Sequence, residues 1–147
     1  MQQTISVSRR MPLPVASVWH ALAAIGGLEK WFSIIDACHV TGQGVGATRE
    51  LVLNNGEIMF DRITECNPQL LRVSYQRERL PFPVADYVGW VQVLPDDDHA
   101  EVCWQVSFQV EPALQEQMQE LIRSALSDGV AGLERDLLQG ATCASSC

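Results

Sequence analysis

Basic side chains are scarce in this sequence. The 147 residues include 10 lysines and arginines against 18 aspartates and glutamates, which gives a formal charge of −8 at pH 7. Nucleic acids and anionic membranes expose phosphates, which proteins bind through basic patches. The composition therefore argues against nucleic acid as a partner and against stable membrane association.

Long apolar runs are also missing. No run approaches the roughly 18 residues that a membrane-spanning helix needs, and no basic segment followed by an apolar one opens the chain. Because 47% of the residues are apolar, a chain of this length can build one substantial core. We therefore expect a single cytoplasmic domain over residues 1–147, either a monomer or a homo-oligomer.

Motifs for metals and cofactors are absent as well. The five cysteines are odd in number and scattered, which is not a disulfide framework. The three histidines lack metal-ligand spacing, and the Asp96–Asp98 run lacks the glycine of a calcium loop. The glycines of 42–46 precede a predicted strand, whereas a phosphate-binding loop opens a helix. No metal and no cofactor are predicted.

One long helix is predicted near the end of the chain. From Leu114 to Leu137 the apolar residues recur in steps of three and four, which is the pattern of a broad apolar stripe. Pro112 suits a first helical turn, and Gly140 stands where helices commonly end. The small and polar residues 140–147 then predict a frayed tail. Such a stripe needs a broad apolar surface to cover it.

The rest of the chain predicts that surface as a curved antiparallel sheet. Apolar residues alternate with polar ones, and turn residues recur between the alternating segments. Two short helices, over about 14–25 and 28–32, interrupt this pattern after the first strand. The fold class is therefore α+β, with seven strands at about 4–10, 35–41, 47–53, 57–66, 70–77, 86–95 and 100–110.

Loop lengths predict which side chains share a row across this sheet. A three-residue loop at 54–56 would pair Arg49 with Asp61, and one at 67–69 would pair Asp61 with Tyr75. The apolar residues beside Arg49 and Tyr75 occupy the same alternate positions, so the row faces inward. A one-residue slip in register would turn it outward.

An inward row of this kind has two interpretations. Burying an arginine or aspartate alone costs several kcal/mol, so the charges must pair or face a solvated cavity. The row Arg49–Asp61–Tyr75 could be an acid/base site that also orients an anion. It could equally be a structural salt bridge beside a core tyrosine.

Aromatic residues on the later strands leave a similar choice. A four-residue loop at 96–99 would place Tyr87 across from Phe108 and Val91 across from Trp104. These rings could wall a ligand cavity, or they could be plain core.

The loop at 79–84 is unusually apolar, with Leu80 and Phe82 beside prolines. It either tucks against the long helix or forms a lip over the mouth of a cavity.

Several short motifs, in a characteristic order, carry a resemblance to a known superfamily. They are Pro14-Val15 with Val18-Trp19, Gly44 to Arg49, Gly56 with Asp61-Arg62-Ile63, Tyr75, Pro83 to Tyr87, Trp104 with Phe108, and Gly132-Leu133. In these the chain resembles the Bet v 1-like, START-type superfamily (SRPBCC), specifically its bacterial polyketide cyclase/dehydrase and lipid-transport group. The resemblance implies a helix-grip fold, in which the sheet wraps the long helix around a hydrophobic cavity.

The middle stretch is similar to plant lachrymatory-factor synthases within that superfamily. Their catalytic arginine falls on Arg49, their glutamate on Asp61, and their tyrosines on Tyr75 and Tyr87. The aspartate is one methylene shorter than the glutamate. The resemblance thus implies that these four residues are catalytic.

The sequence leaves three functions open. The first is binding of a small hydrophobic or aromatic molecule, with Arg49 orienting its polar end. The ligand-binding residues would be Leu51, Met59, Val73, Phe82, Val91, Trp104, Val106, Phe108, Met118, Ile122 and Leu126.

The second function is a cofactor-independent cyclase, dehydratase or isomerase that uses the same cavity. Asp61 would move a proton, Arg49 would stabilise an oxyanion, and Tyr75 or Tyr87 would donate. The third is a protein-binding adaptor, which a cavity smaller than roughly 300 Å³ would favour.

Overall fold

Seven strands and two α-helices follow one another in the predicted order. A computed structural model describes residues 2–146, with the side chains of residues 2–140. The strands are β1 Gln2–Met11, β2 Ile35–Thr41, β3 Thr48–Leu53, β4 Ile58–Asn67, β5 Arg72–Arg79, β6 Ala85–Asp96 and β7 His99–Gln109. The helices are α1 Val15–Ala23 and α2 Gln115–Ser146, with 3-10 turns at Leu28–Lys30 and Pro112–Leu114.

The strands form one antiparallel sheet in the order β1-β7-β6-β5-β4-β3-β2. Strands β2 to β7 are joined as consecutive hairpins. Strand β1 pairs with β7, the strand farthest from it in the chain. Helix α2 contacts β1, β7 and the 28–30 turn. This is the predicted α+β helix-grip architecture, and it confirms the fold class.

The inner face of the sheet and one stripe of α2 form the core. On β7 every second residue is buried, in strict alternation with half-buried ones. On α2 the buried apolar side chains fall three or four residues apart, as a helix that packs on a sheet requires. They are Met118, Ile122, Leu126, Val130 and Leu133.

Two glycines let α2 approach the segment that follows the first 3-10 turn. A Cβ on Gly129 would lie 2.2 Å from the ring of Phe32, and a Cβ on Gly132 would lie 2.1 Å from the carbonyl oxygen of Trp31. Trp31 Nε1 also donates a hydrogen bond of 3.0 Å to Asp136 Oδ2. The segment is therefore held directly against the helix backbone.

The hairpin between β4 and β5 differs from the prediction. Asn67 pairs with Arg72, so the turn covers 68–71 rather than 67–69. The Asn67 side-chain oxygen accepts hydrogen bonds from the backbone N–H groups of Gln69 and Leu70, at 3.0 Å each. This Asx turn stabilises a longer loop than residue counting suggests.

The longer turn, with a bulge between Ile63 and Glu65, changes the row of inward side chains. Tyr75 pairs with Ile63, and Arg77 takes the position opposite Asp61. The predicted pairing of Asp61 with Tyr75 is therefore wrong. Because Tyr75 and Arg77 are two residues apart, both lie on the same face, and Tyr75 is still inward.

Two other predicted pairings are confirmed, whereas the predicted pairing of Tyr87 with Phe108 is interrupted by a shift in register between Ala85 and Val88. Arg49 pairs with Asp61 across β3 and β4, and Val91 pairs with Trp104 across β6 and β7. The rings of Tyr87 and Phe108 stack with their centroids 6.0 Å apart.

The long helix extends beyond its predicted end. Gly140 lies inside α2, which continues to Ser146, because a glycine within a helix costs only about 1 kcal/mol relative to alanine. The predicted frayed tail covers residues 140–147. Cys147 and the side chains of 141–146 lie outside the described residues. None of the helices within 2–146 combines the length and apolar character that crossing a membrane requires.

Candidate functional site

A cavity of about 330 Å³ lies between the sheet, the 28–35 segment and α2. Two apolar residues at its wall, Ile34 and Leu121, are 38% and 42% exposed, so they mark its mouth. The lining is mostly apolar and aromatic. It consists of Leu28, Phe32, Ser33, Ile34, Ile35, Met59, Tyr75, Arg77, Phe82, Tyr87, Trp104, Leu121, Ile122, Ser124, Ala125, Leu126 and Asp128.

Aromatic rings from distant parts of the chain shape the inside of this cavity. Phe32 meets Trp104 edge to face, with ring centroids 5.4 Å apart. Trp104 Nε1 donates a 3.1 Å hydrogen bond to Tyr75 Oη. Gly89 is opposite Tyr75 in the sheet, and a Cβ there would come within 2.6 Å of the tyrosine hydroxyl. The glycine therefore makes room for the Tyr75 ring.

Some of the predicted ligand-binding residues lie at the cavity wall. These are Met59, Phe82, Trp104, Ile122 and Leu126, together with Tyr75 and Tyr87 from the predicted catalytic set. Phe82 comes from the apolar loop after β5, so one residue of that loop contributes to the wall.

The other predicted ligand-binding residues do not line the cavity, and their placement there is corrected. Leu51, Val73, Val91, Val106, Phe108 and Met118 are buried in the close-packed core. The ring of Tyr87 stacks on that of Phe108. Alternation along a strand identifies the inward side chains, but most of these meet another side chain rather than the cavity.

A buried ion cluster lies beside the cavity, with Asp61 at its centre. Arg49 Nε is 2.8 Å from Asp61 Oδ2. Arg77 Nε is 2.7 Å from Oδ1, and Arg77 Nη2 is 3.1 Å from Oδ2. The side chains of Arg49, Asp61 and Arg77 are 4%, 0% and 11% exposed. The three residues are neighbours across β3, β4 and β5.

Asp61 is held in its ionised form. Burial raises the pKa of this carboxyl, but the charges and hydrogen bonds of Arg77 and Arg49 outweigh burial and hold the pKa below its usual range. Both carboxylate oxygens accept hydrogen bonds from arginine, and Asp61 does not line the cavity. This geometry suits an anchor for the two arginines better than the predicted proton transfer.

Arg49 is bonded to the backbone of the segment that follows α1. Its Nη1 donates a 2.9 Å hydrogen bond to the carbonyl oxygen of Ile25, and its guanidinium carbon lies 4.8 Å from the Tyr75 ring centroid. Ile25 has a φ of 70°, which is unusual for a β-branched residue. Arg49 therefore ties the chain after α1 to the sheet, and it is not among the cavity-lining residues.

Arg77 is a charged residue of the cavity wall that was not predicted from the sequence. It lines the cavity, and its guanidinium carbon lies 4.8 Å and 5.4 Å from the ring centroids of Tyr87 and Tyr75. Such contacts are favourable cation–π geometry. The signal in the sequence was its position two residues after Tyr75 on the inward face, but the predicted register placed Tyr75 opposite Asp61.

The polar groups at this wall have well-defined protonation states. Burial lowers the pKa of Arg77, but Asp61 and the tyrosines raise it by a larger amount. The pKa therefore lies above the usual arginine value, and the guanidinium stays charged. Burial raises the pKa of both Tyr75 and Tyr87 above the ordinary tyrosine value. At neutral pH the wall therefore offers one cation and two neutral hydroxyls, which can hold an anion or polarise a carbonyl.

Among the described side chains, no three His, Cys, Asp or Glu residues come together as metal ligands would. Asp128, on the α2 side of the cavity, accepts hydrogen bonds of 2.9 Å from the backbone N–H and the hydroxyl of Ser33.

One protein-family model matches residues 2–137 of the chain. That family is described as polyketide cyclase/dehydrase and lipid transport. No curated protein sequence matches the chain significantly.

Solved structures share the fold along almost the whole chain. Protein XoxI from Bacillus cereus has a TM-score of 0.82 and 23% identity over 92% of this chain and 95% of its own. A protein from Nitrosospira multiformis has a TM-score of 0.71 and 28% identity over 89% and 96%. Norcoclaurine synthase from Thalictrum flavum, solved with dopamine and hydroxybenzaldehyde, has a TM-score of 0.77 and 14% identity over 95% and 88%.

Proposed function

The chain belongs to the polyketide cyclase/dehydrase and lipid transport family, and we propose that it binds one small hydrophobic or aromatic molecule in the cavity between the sheet and α2. The observation that carries this proposal is the cavity itself. It measures about 330 Å³, is lined mainly by apolar and aromatic side chains, and reaches the surface at Ile34 and Leu121.

The size and lining of the cavity support a small ligand. Pockets that hold small molecules are mostly apolar, contain a few polar groups that orient the ligand, and begin at about 300 Å³. This cavity is at the low end of that range, which favours a compact molecule. A cavity smaller than roughly 300 Å³ would favour an adaptor role, and this cavity is larger. Norcoclaurine synthase, with the same fold, holds two aromatic molecules.

Native mass spectrometry tests this proposal directly. Freshly purified protein should carry a discrete extra mass, or should take up a small aromatic probe, and denaturing extraction should release it. Ala125→Phe places a ring at the cavity wall and should abolish retention. Ser127→Phe adds the same ring at an exposed position of α2 and should leave retention unchanged. Loss of ligand in both variants, or in neither, would contradict the proposal.

A cofactor-independent cyclase, dehydratase or isomerase is the second candidate function. It is favoured by the presence of Arg77, Tyr75 and Tyr87 at one cavity wall, where protonated hydroxyls and a cation could stabilise a developing oxyanion. Asp61, with both oxygens bonded to arginines, would not supply the base. Proton transfer would then involve water or the substrate itself.

The two functions are separated by following the bound molecule over time. NMR of carbonyl compounds incubated with the protein would show product formation if the protein is an enzyme. That turnover should fall in Tyr87→Phe, because the variant lacks the donor hydroxyl but keeps the ring. Compounds that bind and are recovered unchanged would support binding alone.

A further inference from the structure

The charges within the buried ion cluster beside the cavity do not balance. Arg49 and Arg77 each carry a positive charge, and Asp61 supplies the single negative charge between them. The cluster is almost fully buried, so its net positive charge is poorly compensated by solvent. A buried charge that lacks a counterion is costly, and a ligand of opposite charge would remove that cost.

The hydrogen bonds show which arginine faces a ligand. Arg49 is bonded to Asp61 and to the Ile25 carbonyl, and it does not line the cavity. Arg77 uses Nε and Nη2 for Asp61. Arg77 Nη1 is not used for Asp61, and this is the arginine at the cavity wall. Arg77 therefore keeps N–H donors for a ligand.

The remaining polar groups favour one orientation of a charged ligand. The rings of Tyr75 and Tyr87 flank Arg77, and both hydroxyls are neutral. Asp128 is the other charged residue in the lining, and it is bonded to Ser33, next to the exposed Ile34. A negative group on the ligand would be repelled from the Asp128 side and attracted to Arg77.

We propose that the cavity selects molecules with a single negative charge, such as a carboxylate or phenolate on an aromatic or aliphatic body, and that Arg77 binds the charged group. This inference rests on the proposed ligand-binding function. The apolar body of the molecule would lie against Phe32, Trp104 and Ile122.

Matched naphthalene probes test the charge preference without any substitution. N-phenyl-1-naphthylamine, a neutral fluorescent molecule, first reports whether the cavity binds an aromatic ligand at all. The competitors 2-naphthoate, 2-naphthalenemethanol and 2-naphthalenemethylammonium then differ mainly in charge. We expect the anion to displace the reporter at the lowest concentration and the cation at the highest. An equal or reversed order would overturn the inference, and the overall charge of −8 cannot itself produce the expected order.

Substitution of Arg77 then tests whether this residue causes the charge preference. Arg77→Met should weaken 2-naphthoate about tenfold or more, as expected for a charge-assisted hydrogen bond, while leaving 2-naphthalenemethanol nearly unchanged. Arg62→Met removes an exposed charge and should change the affinity for neither compound. Equal losses for the anion and the alcohol in Arg77→Met would overturn the assignment.

Failure of the two proposals can be told apart. If the wild-type protein does not bind the neutral reporter or any competitor, ligand binding itself fails and the charge preference fails with it. If the reporter binds but the three competitors are equivalent, ligand binding stands and only the charge preference is wrong. If Arg77→Met does not fold, the wild-type competition series decides alone.

Discussion

Arg77 donates hydrogen bonds to both carboxylate oxygens of Asp61, from Nε at 2.7 Å and from Nη2 at 3.1 Å. Arg49 reaches the same carboxylate from the opposite neighbouring strand, at 2.8 Å. One aspartate thus positions two arginines, of which one anchors Ile25 and the other lines the cavity.

Removal of the central charge should strongly destabilise the protein. Asp61→Asn would leave two buried arginines without a counterion, and breaking a buried pair in this way typically costs about 3–5 kcal/mol. Urea denaturation measures the loss. Glu78→Gln breaks the exposed pair with Arg62 and should cost at most about 1 kcal/mol. Similar losses for the two variants would show that the buried cluster is not the stabilising element.

The contribution of Asp61 should depend on pH in one direction. Because the folded-state pKa of Asp61 is lowered, its stabilisation is fully present above the unfolded pKa of about 3.9. It is lost as the pH falls through the folded-state value. The difference in unfolding free energy between wild type and Asp61→Asn should therefore be constant from neutral pH to about pH 5 and should shrink below about pH 4. A difference that grows on acidification would contradict the prediction.

Alkaline titration should report on the cavity wall alone, since Tyr75 and Tyr87 are the two tyrosines of the sequence. The pKa of each is raised, first of all by burial, so both should stay protonated in the folded protein above the usual tyrosine pKa of about 10. Their contribution to stability is present below that pH and is lost as the pH rises, because the unfolded chain ionises first.

Tyrosinate absorbance, followed together with circular dichroism, checks this alkaline behaviour. The absorbance should increase only as the protein unfolds. Ionisation near pH 10 in a protein that is still folded would place the hydroxyls in contact with solvent. Guanidinium-unfolded protein is the reference for ordinary tyrosines.

The close approach of α2 to Trp31 should make Gly132 intolerant of a side chain. Gly132→Ala would place a Cβ 2.1 Å from the Trp31 carbonyl oxygen, and such overpacking typically costs about 1–3 kcal/mol. Gly140→Ala is the control in the same helix, where a Cβ meets nothing within 4 Å. It should be neutral or stabilising by up to about 1 kcal/mol. Thermal melts that move in the same direction for both variants would contradict this packing.

Local patterns in the sequence were sufficient to predict the elements of the fold. Alternation along strands and three-to-four spacing along α2 arise directly from which side of each element is buried, so both are visible without a structure. The short turn at 54–56, with Gly56 at a φ of 86°, also leaves little choice of register. The pairing of Arg49 with Asp61 was therefore predictable.

Only the tertiary structure decided which residues line the cavity. The Asx turn at Asn67 and the bulge after Ile63 place Arg77, rather than Tyr75, opposite Asp61. A cavity is a place where an inward side chain meets no partner, and that depends on elements far apart in the chain. In this protein the cavity depends on how closely Gly129 lets Phe32 approach α2. Strand periodicity carries no information on that distance, so it could not separate the cavity wall at Trp104 from the core at Phe108.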